Sequence, residues 1–403
     1  MKVAIWLETD YRPKEGGGFS YYDKLVKALD NYAFNPSLEI CFVSERKLEK
    51  TPFNREVICL SWSSSISLRE KILTRLPIVR KIYRKELHSR LLNQKNIAYR
   101  EQLQAHGVKV IYYLNQTECR VPDFPFVATN WDIGHCSTYA FPELIMNGEY
   151  ERRSYFYSHV LPHALYVFAE SEAGKKELLQ YTRISENKIK VVPIFAGNSV
   201  TLKVSKDEQK AILDKYGLEQ YCYFFYPAQF WAHKNHINLL NAFSQFLNSY
   251  PNYKLVLTGA DHGNLSYVQK RVQELQLNDN VVFPGFVSQE QINTFYQNAT
   301  ALVMASFFGP TNMPPIEAME LSCPVICSDI AGHHEILEDA AIYFDCRDYK
   351  NMAKAMENME AHRAEYVKRI NEQREKSKFN IKTALQNIDT YLQELIPIRS
   401  SWA

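Results

Sequence analysis

The feature that most constrains this chain is a repeated alternation. Short apolar runs rich in β-branched and aromatic residues are separated by longer stretches with helical periodicity. A strand that is apolar on both faces needs helices over both. The pattern therefore specifies parallel α/β layers rather than a bundle or a sandwich. The strand-like runs are Val3–Leu7, Glu39–Ser44, Val108–Leu114, Phe126–Thr129, Leu165–Ala169 and Ile189–Pro193. A second series is Tyr221–Tyr226, Lys254–Thr258, Val281–Phe283, Ala301–Ala305, Pro324–Cys327 and Ala341–Phe344. Between them, Tyr22, Leu25, Val26 and Leu29 share one helical face, as do Leu239, Leu240, Phe243, Phe246 and Leu247. Ser171 is placed to cap a helix, and Ser288 with Gln291 forms a capping-box pattern.

At 403 residues the chain is long enough for two such units. The polar, irregular stretch from Ala196 to Gln209 separates them. The expected fold is α/β, with two Rossmann-like doubly wound domains facing a central cleft. The expected bounds are 1–197, a linker at 198–208, a second domain at 209–378 and a C-terminal helix at 379–403 that crosses back to the first domain. In doubly wound sheets, ligands sit beyond the carboxyl ends of the strands, so the cleft is the default site.

The formal net charge is +2, which gives no reason to expect a nucleic-acid partner. The eight cysteines form no CxxC pair and sit mostly in apolar runs, which suits buried thiols in a reducing compartment. Val3–Leu7 is too short for a signal-peptide core or a membrane span, so a cytoplasmic protein is expected. One stretch departs from the rest. Between Arg69 and Arg100 there are ten Lys/Arg against two Glu, interleaved with apolar residues. Such a basic amphipathic segment, 69–100, can lie on an anionic membrane surface on the inner face or pack as a solvated helical pair.

Three segments carry chemistry. Gly16, Gly17 and Gly18 lie between the first strand and first helix, where bare backbone amides can face a phosphate or simply make a turn. Tyr21 occupies the third glycine of a GxGxxG pattern, which disfavours a nicotinamide dinucleotide. Lys234 stands just before a helix, a poor electrostatic position for a lone cation and a suitable one for binding a diphosphate. His233 and His236 have no obvious third ligand and no DxD carboxylate pair is present, so no metal is expected. The loop Ser306–Asn312 leads into a helix at Pro314-Pro315, where Glu317 can accept from a vicinal diol or complement the helix dipole.

Together these segments resemble glycosyltransferase family 4, the retaining nucleotide-sugar transferases of the GT-B fold, in its bacterial surface-polysaccharide (O-antigen and capsule) branches. The resemblance rests on Thr129–His135, Phe141-Pro142-Glu143 and Ser171–Lys175, and most specifically on Gln229–Lys234 with Pro314–Met319. In three places the chain departs from the family pattern. Gly309 stands where the first of two glutamates is usual, Gln229 where an arginine is, and Trp131 where a histidine precedes Asp132.

The resemblance implies a nucleotide-sugar donor, a glycan or lipid-linked oligosaccharide acceptor, and no metal or other cofactor. It implies Asp132, His135, Lys234 and Glu317 as catalytic residues, with Asp132 or His135 orienting the acceptor hydroxyl. Donor binding falls to Gly16, Gly17, Gly18, Gln229, Lys234, Gly259, Phe283, Phe286, Thr311, Asn312, Met313 and Glu317. Two readings compete: a nucleotide-sugar epimerase of the same architecture, and a non-catalytic nucleotide-sugar binder.

Overall fold

The protein is described from a computed structural model, which covers residues 1–8, 16–46, 53–64 and 80–401. Positions 69–79 of the basic segment lie outside the described residues; the remainder falls in the helix Arg80–Ala105.

Seven parallel strands form the first sheet, in the order β3-β2-β1-β4-β5-β6-β7. They are β1 (Lys2–Trp6), β2 (Glu39–Ser44), β3 (Val57–Cys59), β4 (Val108–Gln116), β5 (Phe126–Asn130), β6 (Tyr166–Ala169) and β7 (Ile189–Val191). Six more form a second parallel sheet, in the order β10-β9-β8-β11-β12-β13. These are β8 (Tyr223–Pro227), β9 (Lys254–Thr258), β10 (Val281–Gly285), β11 (Ala301–Met304), β12 (Val325–Ser328) and β13 (Ala341–Phe344). Both halves are therefore the doubly wound units expected from the alternation. The central strands are buried throughout, as in Val3–Trp6 and Ala301–Met304, because helices cover both faces.

The capping signals operate locally. Ser171 accepts from the Gly174 N–H, and Ser288 and Gln291 form a reciprocal capping box. Elsewhere the sequence reading missed structure. β3 is too short to show a period. A helix also begins at Lys206, inside the stretch read as irregular, because Ser205 and Glu208 form a second capping box. The terminal helix Ile381–Glu394 buries Ala384, Leu385, Ile388 and Leu392 in the core of the first domain. Among the described residues, no helix is long and apolar enough to cross a membrane.

Candidate functional site

Parallel strands all deliver their carboxyl ends to the same edge of the sheet. The loops after β5, β8 and β11 therefore converge between the two domains. Three contacts show the facing loops in register. Glu143 of the first domain accepts the backbone N–H of His233 of the second at 2.9 Å, and the His233 ring Nδ1 meets the same oxygen. Phe308, from the loop after β11, packs on the His233 ring at 4.3 Å between centroids. A side chain at Gly134 would meet the Phe308 ring at 2.7 Å, so the absent Cβ is what lets these loops touch.

On the first-domain side, the Asp132 carboxylate accepts from Arg153 Nη2 at 2.5 Å and from the Gly134 N–H at 2.8 Å. Burial alone would raise this carboxyl; Arg153 and the Gly134 amide outweigh it and hold it below its usual value. Gln116 supports the loop by donating to the Asp132 carbonyl at 2.7 Å. His135 is not where its proposed role needs it. The ring is fully buried against Tyr157, and neither nitrogen has a hydrogen-bond partner. Burial, reinforced by Arg153, lowers its pKa to about 4. A neutral ring sealed from the cleft packs the loop and meets no acceptor in this conformation.

On the second-domain side, Lys234 closes a short turn after β8. Its carbonyl accepts from the Tyr226 hydroxyl at 2.8 Å, and its Nζ donates to Asn312 Oδ1 at 3.0 Å. Among the described residues no carboxylate lies within ion-pair distance of this ammonium. Burial lowers its pKa to about 8, partly offset by Asp132 and Glu143 across the cleft. An unpaired, half-buried cation attracts an anion. His233 and His236 do not act together: the latter is buried between Phe230 and Tyr226. Among the described residues, no group of three His, Cys, Asp or Glu side chains could hold a metal ion.

Glu317 lies in the helix Met313–Glu320 and is already engaged. It accepts from the Tyr296 hydroxyl at 2.9 Å and from the Gly197 N–H at 3.3 Å, and burial raises its pKa. Gly197 is wedged between Glu317 and Ser20, so Glu317 and the helix Gly16–Asn31 meet at the crossing between domains. Gly16, Gly17 and Gly18 are not a loop there but the first turn of that helix, with their N–H groups at its amino end.

The remaining candidates divide. Thr311 and Asn312 are buried beside Lys234, and Met313 packs toward the first-domain core. The Gln229 carboxamide accepts from the Trp231 indole at 2.9 Å, and Trp231 stacks on His262 at 3.9 Å. Gly259 is a packing position, since a side chain would strike the Ala228 carbonyl oxygen at 2.4 Å. Phe283 packs near Phe230, whereas Phe286 is 81% exposed. Sequence reasoning missed Arg153, Tyr296 and His333 as parts of the site. No spacing signal marks them; Glu143 was visible in the Phe-Pro-Glu segment, though not its partner.

Residues 205–377 match the family described as glycosyl transferases, group 1. The matched part is the second sheet with its helices. It holds the Lys234, Asn312 and Glu317 side of the cleft.

Among relatives, the O-antigen chain mannosyltransferase RfbU of Salmonella typhimurium is 35% identical over 138 residues, 34% of this chain and 38% of that protein. The O-antigen chain mannosyltransferase B of Escherichia coli is 25% identical over 189 residues, 47% of this chain and 49% of that protein. The chain thus spans less than half the length of these curated relatives. Over the whole fold, sucrose-phosphate synthase of Thermosynechococcus elongatus superposes with a TM-score of 0.72 at 19% identity, covering 98% of this chain and 99% of that one. HepE of Anabaena, solved with UDP and glucose, gives 0.70 at 16% identity, covering 98% and 100%. The architecture is that of the GT-B glycosyltransferases.

Proposed function

We propose that this chain is a retaining, metal-independent glycosyltransferase of surface-polysaccharide biosynthesis. It moves a hexose or deoxyhexose, mannose-like by analogy with the O-antigen relatives, from a nucleotide-diphosphate donor to a glycan or lipid-linked oligosaccharide. The observation that carries the reading is Lys234, a cation in the cleft whose side chain, among the described residues, donates only to a neutral carboxamide. Its free N–H groups are available to diphosphate oxygens, where they stabilise the negative charge that develops on the leaving group. Glu317 exchanges its linker contacts for the donor ribose, and amides around Thr311–Met313 meet the sugar. Asp132, held ionised by Arg153, orients the acceptor hydroxyl from the opposite wall.

In this reading the C1–O bond to phosphate breaks and the bond to the acceptor oxygen forms on the same face. The acceptor proton passes to the departing phosphate oxygen, so no buried histidine is needed as base. Closing of the domains excludes water from the donor. The exposed Lys85 and Arg90 of the helix Arg80–Ala105, with the basic composition of 69–100, support the reading that this segment meets an anionic membrane surface at the inner face of the cytoplasmic membrane.

Thermal unfolding with UDP, GDP, ADP or NAD, each with EDTA, tests the reading on wild type and Lys234→Ala. One nucleoside diphosphate should raise the wild-type midpoint by mass action and fail to do so in the variant. Loss of charged hydrogen bonds of about 1.5–3 kcal/mol corresponds to roughly 10–100-fold weaker binding. Binding of NAD alone, or of no diphosphate, would sink the transferase. Diphosphate binding with no transfer from any sugar donor would favour the non-catalytic binder, and donor hydrolysis without acceptor the epimerase.

A further inference from the structure

The Lys234 ammonium is held by a hydrogen-bonded chain that runs back to the sheet. At its far end the Ser328 carbonyl oxygen can only accept, and His333 Nδ1 lies 2.8 Å from it. The His333 proton is therefore on Nδ1, which leaves Nε2 as a lone-pair acceptor. Asn312 Nδ2 lies 3.1 Å from Nε2 and donates to it, which turns Oδ1 of the same carboxamide toward Lys234 Nζ at 3.0 Å. A flipped amide would set its NH2 against the ammonium and its oxygen against the imidazole lone pair. One tautomer thus selects one amide orientation, and that orientation faces the cation with an oxygen.

Two glycines make room for this chain. A side chain at Gly332, next to His333, would place Cβ 1.1 Å from the Pro310 carbonyl oxygen, so the loop after β11 lies directly on this turn. A side chain at Gly309 would crowd both carboxamide atoms of Asn312 at 3.1–3.2 Å, and its φ of +119° is one that side-chain-bearing residues rarely adopt. The space beside Lys234 is thereby given to a neutral group. His333 itself is fully buried and touches no surface a ligand can reach.

We propose that His333 is a positioning residue, which acts through Asn312 to keep a neutral oxygen on Lys234 so that the ammonium stays charged and unpaired for the donor diphosphate. This rests on the assignment of Lys234 to the donor. It adds that the carboxamide at 312 does the work of a carboxylate without neutralising the cation. A carboxylate there would compete with the phosphate; a misoriented amide would favour the uncharged amine. Among the described residues, the titratable groups around Lys234 are Asp132 and Glu143 from the first domain, His233 and His236 on its own segment, and His333.

The test reads Lys234 directly and needs no ligand. Trace acetylation with acetic anhydride, followed peptide by peptide across pH, reports the free-amine fraction of Lys234, with surface lysines as internal reference. His333→Leu should raise Lys234 labelling at pH 7 by about three- to tenfold, and Asn312→Asp should lower it by a similar factor. A folded His333→Leu with the wild-type Lys234 profile overturns the proposal. Nitrogen-15 NMR of the wild-type imidazoles gives a second reading that no folding defect can obscure: a protonated Nε2 on His333 also overturns it. Pyrophosphate affinity, falling several-fold in His333→Leu, completes the set. If wild type binds no nucleoside diphosphate, the transferase reading fails, while the labelling profile still decides the role of His333.

Discussion

Glu143 and His233 join the two domains through one carboxylate oxygen, which meets both the backbone N–H of His233, at 2.9 Å, and its ring Nδ1. The histidine is neutral, its pKa lowered to about 4 by burial and by Lys234, so the pair is a doubly donated hydrogen bond rather than an ion pair. These donors outweigh burial and hold the Glu143 carboxyl below its usual value.

Glu143→Ala should therefore loosen the domain arrangement at the residue beside Lys234. The expected cost is about 1–3 kcal/mol, that of leaving the buried donors unsatisfied. Spin-label distances between the domains should broaden toward open forms. Because the folded pKa is depressed, the contribution is present above the unfolded value of about 4.3 and is lost as pH falls through the folded one. An unchanged distance distribution would remove Glu143 from control of the cleft.

Arg153→Met should leave Asp132 without its counter-charge. Both side chains are mostly buried, and breaking such a pair costs about 3 kcal/mol. Without Arg153, burial raises the Asp132 carboxyl, so the deficit should begin to shrink at a pH above the usual carboxylate value. It should vanish once the depressed wild-type carboxylate also protonates. The double variant Asp132→Asn with Arg153→Met should recover much of the loss in chemical denaturation. Equal penalties for the single and double variants would mean Arg153 acts through packing alone.

His135→Phe separates a base from a packing residue. The native ring stays neutral down to about pH 4, while the unfolded one protonates near 6.5. Wild type should then lose about 1.4 kcal/mol per pH unit between those values through this residue. The phenylalanine variant should lack that increment and keep donor binding. Abolished transfer with intact folding would restore His135 as a participant in the chemistry.

Gly332→Ala is expected to be among the most damaging small substitutions, because its Cβ would lie 1.1 Å from the Pro310 carbonyl oxygen. Displacing that loop should cost about 3 kcal/mol or more and separate Asn312 from Lys234. Calorimetry should show a lowered midpoint, and diphosphate protection should vanish with it. A near-native midpoint would mean the loop can retreat cheaply.

Much of this was legible in the sequence, and the boundary has a physical basis. Fold class, most strands, the caps at Ser171 and Ser288, and the Lys234 and Glu317 segments follow from patterns within a few residues of one another. Periodicity, capping and strand-to-helix turns act over that range. The tertiary structure decided the rest. Glu143 and His233 are 90 residues apart, Lys234 and Asn312 78, and Asp132 and Arg153 21. It also buried His135, turned Gly16–Gly18 into a helix end and engaged Glu317 with the linker. Such pairings depend on which loops two separate sheets bring to one cleft. No local spacing encodes that, because burial and charge compensation are settled only when distant segments pack.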